Sequence, residues 1–244
     1  MKQREIILKA GAHVLDWVFP RRCPVCNRIV KPLGEKICAE CKGQLDYVFE
    51  PKCKRCGKRL QHTEQEYCYD CVTKKHDYIQ GAALYEYASV RQAIYRFKYA
   101  GQCEYADFFG EEIALFLGDQ IRQWQVEALI PVPLHKSRQR LRGYNQAQLL
   151  AQVIGDRLQI PVQNDLVKRD KKTTPQKDLD ETERHKNVKK AFKICRNDVK
   201  LKSVVVIDDI YTTGSTIDAM THVLNEAGVD KVYFIALAIG QELL

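Results

Sequence analysis

The sequence predicts an α/β protein whose central, mainly parallel sheet is preceded by a small metal-binding domain. Four consecutive β-branched residues, Val204 to Ile207, are typical of a strand that is buried on both faces. Apolar residues then recur at helical spacing from Ile217 to Leu224. Eight of the ten cysteines lie between Cys23 and Cys71, so the beginning of the chain is chemically distinct from the rest.

The segment between this strand and this helix carries the chemistry of a phosphate site. Asp208 and Asp209 follow the strand, and residues 212–216 read Thr-Thr-Gly-Ser-Thr. Such a loop points backbone N–H groups and hydroxyls at a phosphate, and the start of a helix adds a favourable partial charge. Gly214 lets the backbone approach a ligand closely. The two acids can hold a ribose diol directly or through Mg²⁺. This is not a Walker loop, because no lysine follows the glycine.

All thirteen residues from Val204 to Thr216 resemble the phosphoribosyl pyrophosphate (PRPP) motif of type I phosphoribosyltransferases. The alternative is an ordinary strand, turn and helix with an accidental acidic pair. The resemblance implies the type I phosphoribosyltransferase fold, with Asp208 and Asp209 as catalytic residues. It also implies that both acids contact the ligand, together with the residues that follow them: Tyr211, Thr212, Thr213, Gly214, Ser215 and Thr216.

A basic segment follows a second predicted strand. Residues 128–133 form a short apolar run that ends in prolines, and residues 135–142 are rich in cations. In type I phosphoribosyltransferases a loop at this place binds the pyrophosphate of PRPP, which implies four further ligand residues: His135, Lys136, Arg138 and Arg142. A surface loop that binds nucleic acid is the other interpretation, and the two are compatible.

The cysteines form four Cys-x-x-Cys knuckles, and eleven residues separate each knuckle from the next. Two knuckles supply the four thiolates of a tetrahedral zinc site, so eight cysteines predict two zinc ions and a double zinc ribbon. Disulfides or an iron–sulfur site are the alternatives. Consecutive knuckles are the expected pairing, although a crossed arrangement would join the first knuckle to the third. The predicted ligands are Cys23, Cys26, Cys38 and Cys41 in one site and Cys53, Cys56, Cys68 and Cys71 in the other.

The balance of charge favours anionic partners. The chain of 244 residues has a net charge of +8 and a pI near 8.9. Residues 1–76 hold sixteen Lys and Arg against nine Asp and Glu, a net charge of +7. Two Cys₄ zinc sites would reduce it to about +3. A cluster around the third knuckle could contact nucleic acid or could be a solvated face that offsets the thiolates: Lys52, Lys54, Arg55, Lys58 and Arg59.

Aromatic and cationic residues alternate between Tyr85 and Phe109. Exposed rings interleaved with cations could stack bases and hold a single-stranded backbone, whereas most of these rings are expected in the core. The best candidates for exposed contacts are Arg96, Lys98 and Tyr99.

The predicted boundaries are an amphipathic helix at residues 1–20, the double zinc ribbon at 21–76 and the phosphoribosyltransferase-like domain at 77–244. No run of eighteen apolar residues occurs, so no integral membrane segment is expected. The absence of a secretory signal points to the cytoplasm, a reducing compartment in which cysteines bind metal more readily than they form disulfides. The polar stretch from Leu166 to Asn187 lies where a closing loop is expected, and Cys103 and Cys195 are expected to be packing residues.

The order of these features resembles the ComF family over nearly the whole chain. The residues that carry the resemblance follow the cysteine knuckles: Arg96–Gly101, Val132–Pro133, Arg142–Gln146, Thr174–Gln176, Arg184, Asn187, Ala191–Phe192 and the PRPP motif. The resemblance implies a competence protein in the cytoplasm that handles incoming single-stranded DNA beside a helicase of the same operon, and that binds Mg²⁺ and PRPP. The alternative is an active phosphoribosyltransferase with an unidentified acceptor. Shorter relatives in the family carry one four-cysteine site, whereas this chain has material for two.

Overall fold

The computed structural model describes residues 20–32, 34–170, 191–196 and 199–240. The expected helix at residues 1–20 and most of the expected closing loop lie outside these residues. The helices and strands follow in chain order: α1 Ala39–Lys42, α2 Tyr69–Thr73, β1 Gln80–Glu86, α3 Tyr87–Tyr99, α4 Tyr105–Gln123, β2 Ala128–Pro131, α5 Lys136–Arg142, α6 Gln146–Leu158, β3 Val167–Arg169, β4 Phe192–Ile194, β5 Ser203–Tyr211, α7 Ser215–Glu226 and β6 Lys231–Ile239.

The main sheet has four parallel strands in the order β1-β6-β5-β2, which confirms the predicted α/β class. The β-branched run of β5 lies at its centre. Val204 and Val206 face one side and Val205 and Ile207 face the other, and all four are fully buried. A strand with helices on both faces reads as a continuous apolar run for this reason.

Helices cover both faces of the sheet. The buried side chains of α3 and α4, with most of those of α6, share a core with one face, and those of α7 share a core with the other. The small antiparallel pair β3-β4 lies apart from the main sheet and joins the core of α7. Within the described ranges, no helix is long and apolar enough to cross a membrane.

The cysteine-rich segment covers the open edge of the sheet at β1. The Val48 N–H donates to the Leu84 carbonyl at 2.9 Å, and the Gly81 N–H donates to the Arg55 carbonyl at 2.7 Å. An uncovered edge strand would offer unpaired N–H and C=O groups to other chains. One four-cysteine cluster joins the core beneath α3 and α4, and the other joins the core beneath α7. The ribbons therefore straddle the edge strand and share the core of the sheet.

Candidate functional site

Two four-cysteine clusters have the geometry of zinc sites. Cys23, Cys26, Cys38 and Cys41 form one and Cys53, Cys56, Cys68 and Cys71 form the other, and in each cluster all ligand atoms lie within 4.8 Å of one another. A tetrahedral site with Zn–S bonds of about 2.3 Å requires sulfurs about 3.8 Å apart. The Sγ atoms of Cys26 and Cys38 are 3.9 Å apart, and those of Cys56 and Cys68 are 3.6 Å apart. The consecutive pairing is confirmed.

The two ribbons repeat one backbone design. The Cys23 N–H donates to the Arg28 carbonyl at 2.8 Å, and the Cys53 N–H donates to the Lys58 carbonyl at 2.7 Å. The residue after the second cysteine of the first and of the third knuckle has a positive φ, 61° at Asn27 and 75° at Gly57. Asparagine and glycine are the residues that adopt this left-handed conformation most readily. The equal spacing in the sequence is therefore a structural repeat.

The acidic pair lies within β5, because this strand continues to Tyr211. The expectation that the strand ends before Asp208 is wrong, and both carboxylates are partly buried. The Asp209 N–H donates to Asp208 Oδ1 at 2.8 Å, and Lys98 Nζ lies 2.8 Å from Asp209 Oδ2. Burial and the neighbouring Asp209 raise the pKa of Asp208 to about 7. Lys98 of α3 is thus the counter-ion of Asp209. The carboxylate oxygens of the pair can bind a metal cation or accept hydrogen bonds from a ligand.

The loop after β5 presents small polar groups at the start of α7. Thr212 and Thr213 are exposed, and Thr213 Oγ1 lies 2.9 Å from Ser215 Oγ. Gly214 is the N-cap of α7 with φ of 80°, and it supplies no side-chain hydrogen bond to the helix. The N-cap residue therefore accepts no side-chain hydrogen bond from the first N–H groups of α7. Phosphates bind to the N–H groups of helix starts of this kind.

Tyr211 lies beneath this loop, in contrast to the residues that follow it. Its side chain is buried, and its hydroxyl lies 2.7 Å from the hydroxyl of Tyr78. The implied direct contact of Tyr211 with a ligand does not fit this inward orientation of the side chain. A Cβ on Gly214 would lie 2.7 Å from the Tyr211 hydroxyl and 2.8 Å from Cε1 of His76, so only glycine fits there.

The basic segment is a helix and not the expected loop. Residues 136–142 form α5, with the His135 side chain as its N-cap, accepting from the Ser137 N–H at 3.2 Å. Lys136 is exposed. The Arg142 guanidinium donates to Gln146 Oε1 at 2.9 Å and stacks 4.9 Å above the Tyr99 ring. Arg142 is therefore engaged beside the expected pyrophosphate site.

Arg169 of β3 is a site residue that sequence reasoning missed. Burial and the nearby Arg138 lower the pKa of the Arg169 guanidinium, while Asp208 acts in the opposite direction. Arg169 of β3 thus lies near Asp208 and also near Arg138 of α5. The sequence shows Arg169 only as one cation in a polar stretch, because the pairing of β3 with β4 places it.

A groove opens beside the acidic pair. It encloses about 430 Å³ and is lined by residues of α3 and by one residue of β5: Tyr87, Arg91, Gln92, Ile94, Tyr95, Lys98, Tyr99 and Ile210. The side chains of Tyr95 and Tyr99 are 60% and 56% exposed, and their rings lie 5.2 Å apart. Lys98 joins the groove to Asp209. An exposed pair of rings with cations at its border suits flat, anionic ligands.

Arg96 has a structural role that differs from the expected exposed contact. Its guanidinium donates to the carbonyls of Pro24 and Val25, at 2.7 and 2.8 Å. These carbonyls belong to the first knuckle, so Arg96 fastens the first ribbon to α3. Its charge is directed into the protein, away from solvent.

The basic cluster of the third knuckle is also engaged within the protein. Lys58 is buried and lies 2.9 Å from Asp70. Arg59 donates to the Tyr47 carbonyl at 3.1 Å, and Arg55 donates to the His76 carbonyl at 3.0 Å. Lys52 and Lys54 pair with Glu50 and Glu66. These contacts favour a structural role over a nucleic-acid surface.

Comparison with known proteins agrees with both halves of the structure. Residues 14–72 match the double zinc ribbon domain family, and residues 143–242 match the phosphoribosyl transferase domain family. The alignment with a purine phosphoribosyltransferase structure from Pyrococcus horikoshii covers 57% of this chain and 72% of that chain at 20% identity, with a TM-score of 0.32.

Several curated relatives are competence or DNA utilization proteins. Competence protein F of Haemophilus influenzae is 38% identical over 150 residues, covering 59% of this chain and 66% of that protein. Competence protein ComFC of Bacillus subtilis is 29% identical and covers 61% of this chain and 59% of that protein. DNA utilization protein YhgH of Escherichia coli K12 is 32% identical and covers 43% and 46%.

The chain thus spans less than two thirds of the length of each of these relatives. The chain combines a double zinc ribbon domain with a phosphoribosyltransferase domain and is a homologue of competence proteins F and ComFC.

Proposed function

We propose that the protein binds PRPP with Mg²⁺ at the end of β5 and handles single-stranded DNA at the adjoining groove. The observation that carries this proposal is that the acidic pair at the end of β5 is followed directly by a phosphate-type loop at the start of α7, with Lys98 bound to Asp209. Ligands of parallel α/β sheets bind at the carboxyl ends of the strands. The phosphoribosyl transferase match over residues 143–242 includes both the loop and Arg169.

The parts of PRPP find chemically suitable partners here. The N–H groups and hydroxyls of residues 212–216 suit the 5′-phosphate. Asp208 and Asp209 suit the ribose hydroxyls and would hold Mg²⁺, which prefers carboxylate oxygens and neutralises phosphate charge. Lys136, Arg138 and Arg169 suit the pyrophosphate. In this arrangement the chain's own residues position the ligand and balance its charge.

The groove beside Asp209 is the proposed surface for single-stranded DNA. Tyr95 and Tyr99 offer two exposed rings, and Arg91, Lys98 and Arg142 border them. Stacking of bases on aromatic rings is tolerant of sequence, and cations along the groove follow the backbone. We propose the groove as the DNA surface in place of the basic cluster of the third knuckle, because the cations of that cluster have carboxylate and carbonyl partners.

We expect the Tyr95→Ala, Tyr99→Ala double variant to bind single-stranded DNA at least about thirtyfold more weakly. Each base stacked on an aromatic ring contributes about 1–3 kcal/mol. Both rings are mostly exposed, so the melting temperature should change little. Fluorescence anisotropy with a labelled oligonucleotide at fixed salt measures the affinity, since binding to phosphates depends on salt.

The matched control is the Tyr67→Ala, Tyr69→Ala double variant. These tyrosines lie on the second ribbon and are 43% and 71% exposed. Wild-type affinity is expected for this variant. If the ribbon variant loses DNA binding and the groove variant retains it, the DNA site lies on the ribbon and the groove proposal fails.

The names of the relatives give the proposed setting. Competence protein F and ComFC are competence proteins, and YhgH is a DNA utilization protein. We propose that this protein likewise acts in the cytoplasm during natural transformation, where a helicase of the same operon delivers incoming single-stranded DNA. Co-purification of the two proteins in the presence of single-stranded DNA tests the partnership, and independent elution would contradict it.

A phosphoribosyltransferase with an unidentified acceptor is the second candidate. The groove opens beside Asp209, where an acceptor bound between the tyrosines would approach the ribose. Catalysis would then consist of positioning and charge stabilisation, with no protein nucleophile. Pyrophosphate release from Mg²⁺-PRPP in the presence of single-stranded DNA or other acceptors would favour this candidate. Bound PRPP that stays intact with every acceptor would favour a ligand or regulatory role.

A further inference from the structure

The second zinc ribbon is joined to the phosphate loop by buried polar contacts. His76 follows the last ligand of this ribbon by five residues, and its side chain is 1% exposed. Its Nδ1 lies 2.9 Å from Asp218 Oδ2, a distance at which the imidazole N–H donates to the carboxylate. The other oxygen of Asp218 accepts from the Asp77 N–H at 3.0 Å. One carboxylate of α7 thus holds both the side chain of His76 and the backbone of the next residue.

Asp218 is part of the helix start that the loop forms. It is buried in the first turn of α7, and its own N–H donates to the Gly214 carbonyl at 2.8 Å. A Cβ on Gly214 would lie 2.8 Å from His76 Cε1, so the imidazole is in contact with the loop backbone. His76 therefore contacts the loop backbone at Gly214 and is hydrogen-bonded to Asp218 in the first turn of α7.

A second set of buried contacts connects His76 to the loop. The His76 ring stacks on Tyr78 with centroids 4.9 Å apart, and the Tyr78 hydroxyl meets that of Tyr211 at 2.7 Å. The Tyr211 hydroxyl packs against Gly214. On the side of the ribbon, Arg55 lies between two zinc ligands and donates to the His76 carbonyl at 3.0 Å. Buried hydrogen-bonded groups of this kind hold a fixed geometry, because breaking one leaves an unpaired polar group.

We infer that His76 and Asp218 are positioning residues that fix the phosphate loop to the second zinc ribbon, so that an intact ribbon is required for tight binding of a phosphate ligand. This inference rests on the proposed PRPP site for its ligand, but the coupling itself is a property of the free protein. Coupling between two sites is reciprocal. A ligand in the loop therefore stabilises the ribbon as much as the ribbon stabilises the bound loop.

The test compares three variants of the zinc-loaded protein. His76→Leu removes the hydrogen bond, and His76→Asn retains a side-chain N–H close to the position of Nδ1. The control is Tyr85→Phe, which removes a buried hydroxyl of β1 that contacts Glu112 at 3.4 Å and not the loop. In His76→Leu, amide exchange at Asp77 and in the first turn of α7 should be at least about tenfold faster, and Mg²⁺-PRPP should bind about tenfold more weakly. His76→Asn should restore most of the slow amide exchange and most of the PRPP affinity. Tyr85→Phe should change neither the exchange nor the affinity.

Zinc release provides an independent measurement. Mg²⁺-PRPP should slow the transfer of one of the two zinc equivalents to a chelator in the wild type, and this effect should be lost in His76→Leu. Unchanged exchange in a folded His76→Leu variant would overturn the inference. If that variant does not fold, Tyr211→Phe takes its place with about threefold faster exchange expected, and unchanged exchange there is equally contrary. Failure of the wild type to bind PRPP would contradict the proposed ligand, whereas the exchange data would still decide the coupling.

Discussion

We expect the Asp208→Asn, Asp209→Asn double variant to bind Mg²⁺-PRPP at least a hundredfold more weakly than the wild type. The two carboxylates are the proposed partners of the ribose hydroxyls and of Mg²⁺. A hydrogen bond to a charged group contributes about 1.5–3 kcal/mol, so the loss of two such contacts corresponds to two or more orders of magnitude in affinity. Isothermal titration calorimetry on both proteins measures the difference.

The fold should survive this double substitution. Burial and Asp209 raise the pKa of Asp208 to about 7, so the ionised pair is destabilising in the free protein and a neutral amide of the same shape relieves that cost. Lys98 loses its partner, which offsets part of the gain. Thermal melts should therefore show an unchanged or slightly raised melting temperature. A large drop in melting temperature would show that the pair is structural.

The matched control is Asp230→Asn. This acid is exposed and pairs with Lys202 at 3.5 Å, next to the start of β6 and so at the opposite end of the sheet from the phosphate loop. It removes a charge of the same sign without touching the proposed site, so PRPP affinity should stay within about twofold. Equal weakening by the control and by the double variant would point to a general charge effect.

We expect Cys56→Ser to reduce the zinc content from two equivalents to one and to lower the melting temperature strongly. Cys56 is fully buried in the core that contains α7 and the central strand β5. Structural zinc sites in small domains supply about 10–16 kcal/mol of binding free energy, which is comparable with the whole stability of a typical domain of about 5–15 kcal/mol. Metal analysis and thermal melts of protein prepared under reducing conditions measure both effects.

Cys103→Ser and Cys195→Ser are the controls for this prediction. Both cysteines are exposed, so the expectation that they pack in the core is wrong, and neither belongs to a four-cysteine cluster. Each control should keep two zinc equivalents and the wild-type melting temperature. A wild-type zinc content of one or none, or a Cys56→Ser variant that keeps both metals, would contradict the assignment of two Cys₄ sites.

The sequence predicts those parts of the structure that local patterns determine. The apolar run of β5 and the cysteine spacing each lie within a short segment, so strand burial and consecutive zinc ligation follow directly from them. The full length of β5 cannot be predicted from its local sequence pattern. Ile210 and Tyr211 pair with Ala238 and Ile239 of β6, and this partner continues the strand through the two acids.

Long-range partners explain why parts of the site could not be predicted. Lys98 pairs with Asp209, Arg96 fastens the first knuckle, and His76 meets Asp218 across 142 residues. A sequence shows that these side chains are charged or polar, but the fold decides which carboxylate or carbonyl each of them meets. The same limit applies to the basic cluster of the third knuckle, whose carboxylate and carbonyl partners appear only in the folded chain.

Calorimetric titration of the wild-type, zinc-loaded protein with PRPP, in the presence and absence of Mg²⁺, tests the central claim most directly. If the acidic pair and the loop after β5 form a PRPP site, the titration shows saturable binding of one ligand per chain that is much tighter with Mg²⁺. A folded protein that carries both zinc ions and takes up no PRPP under either condition would contradict the claim.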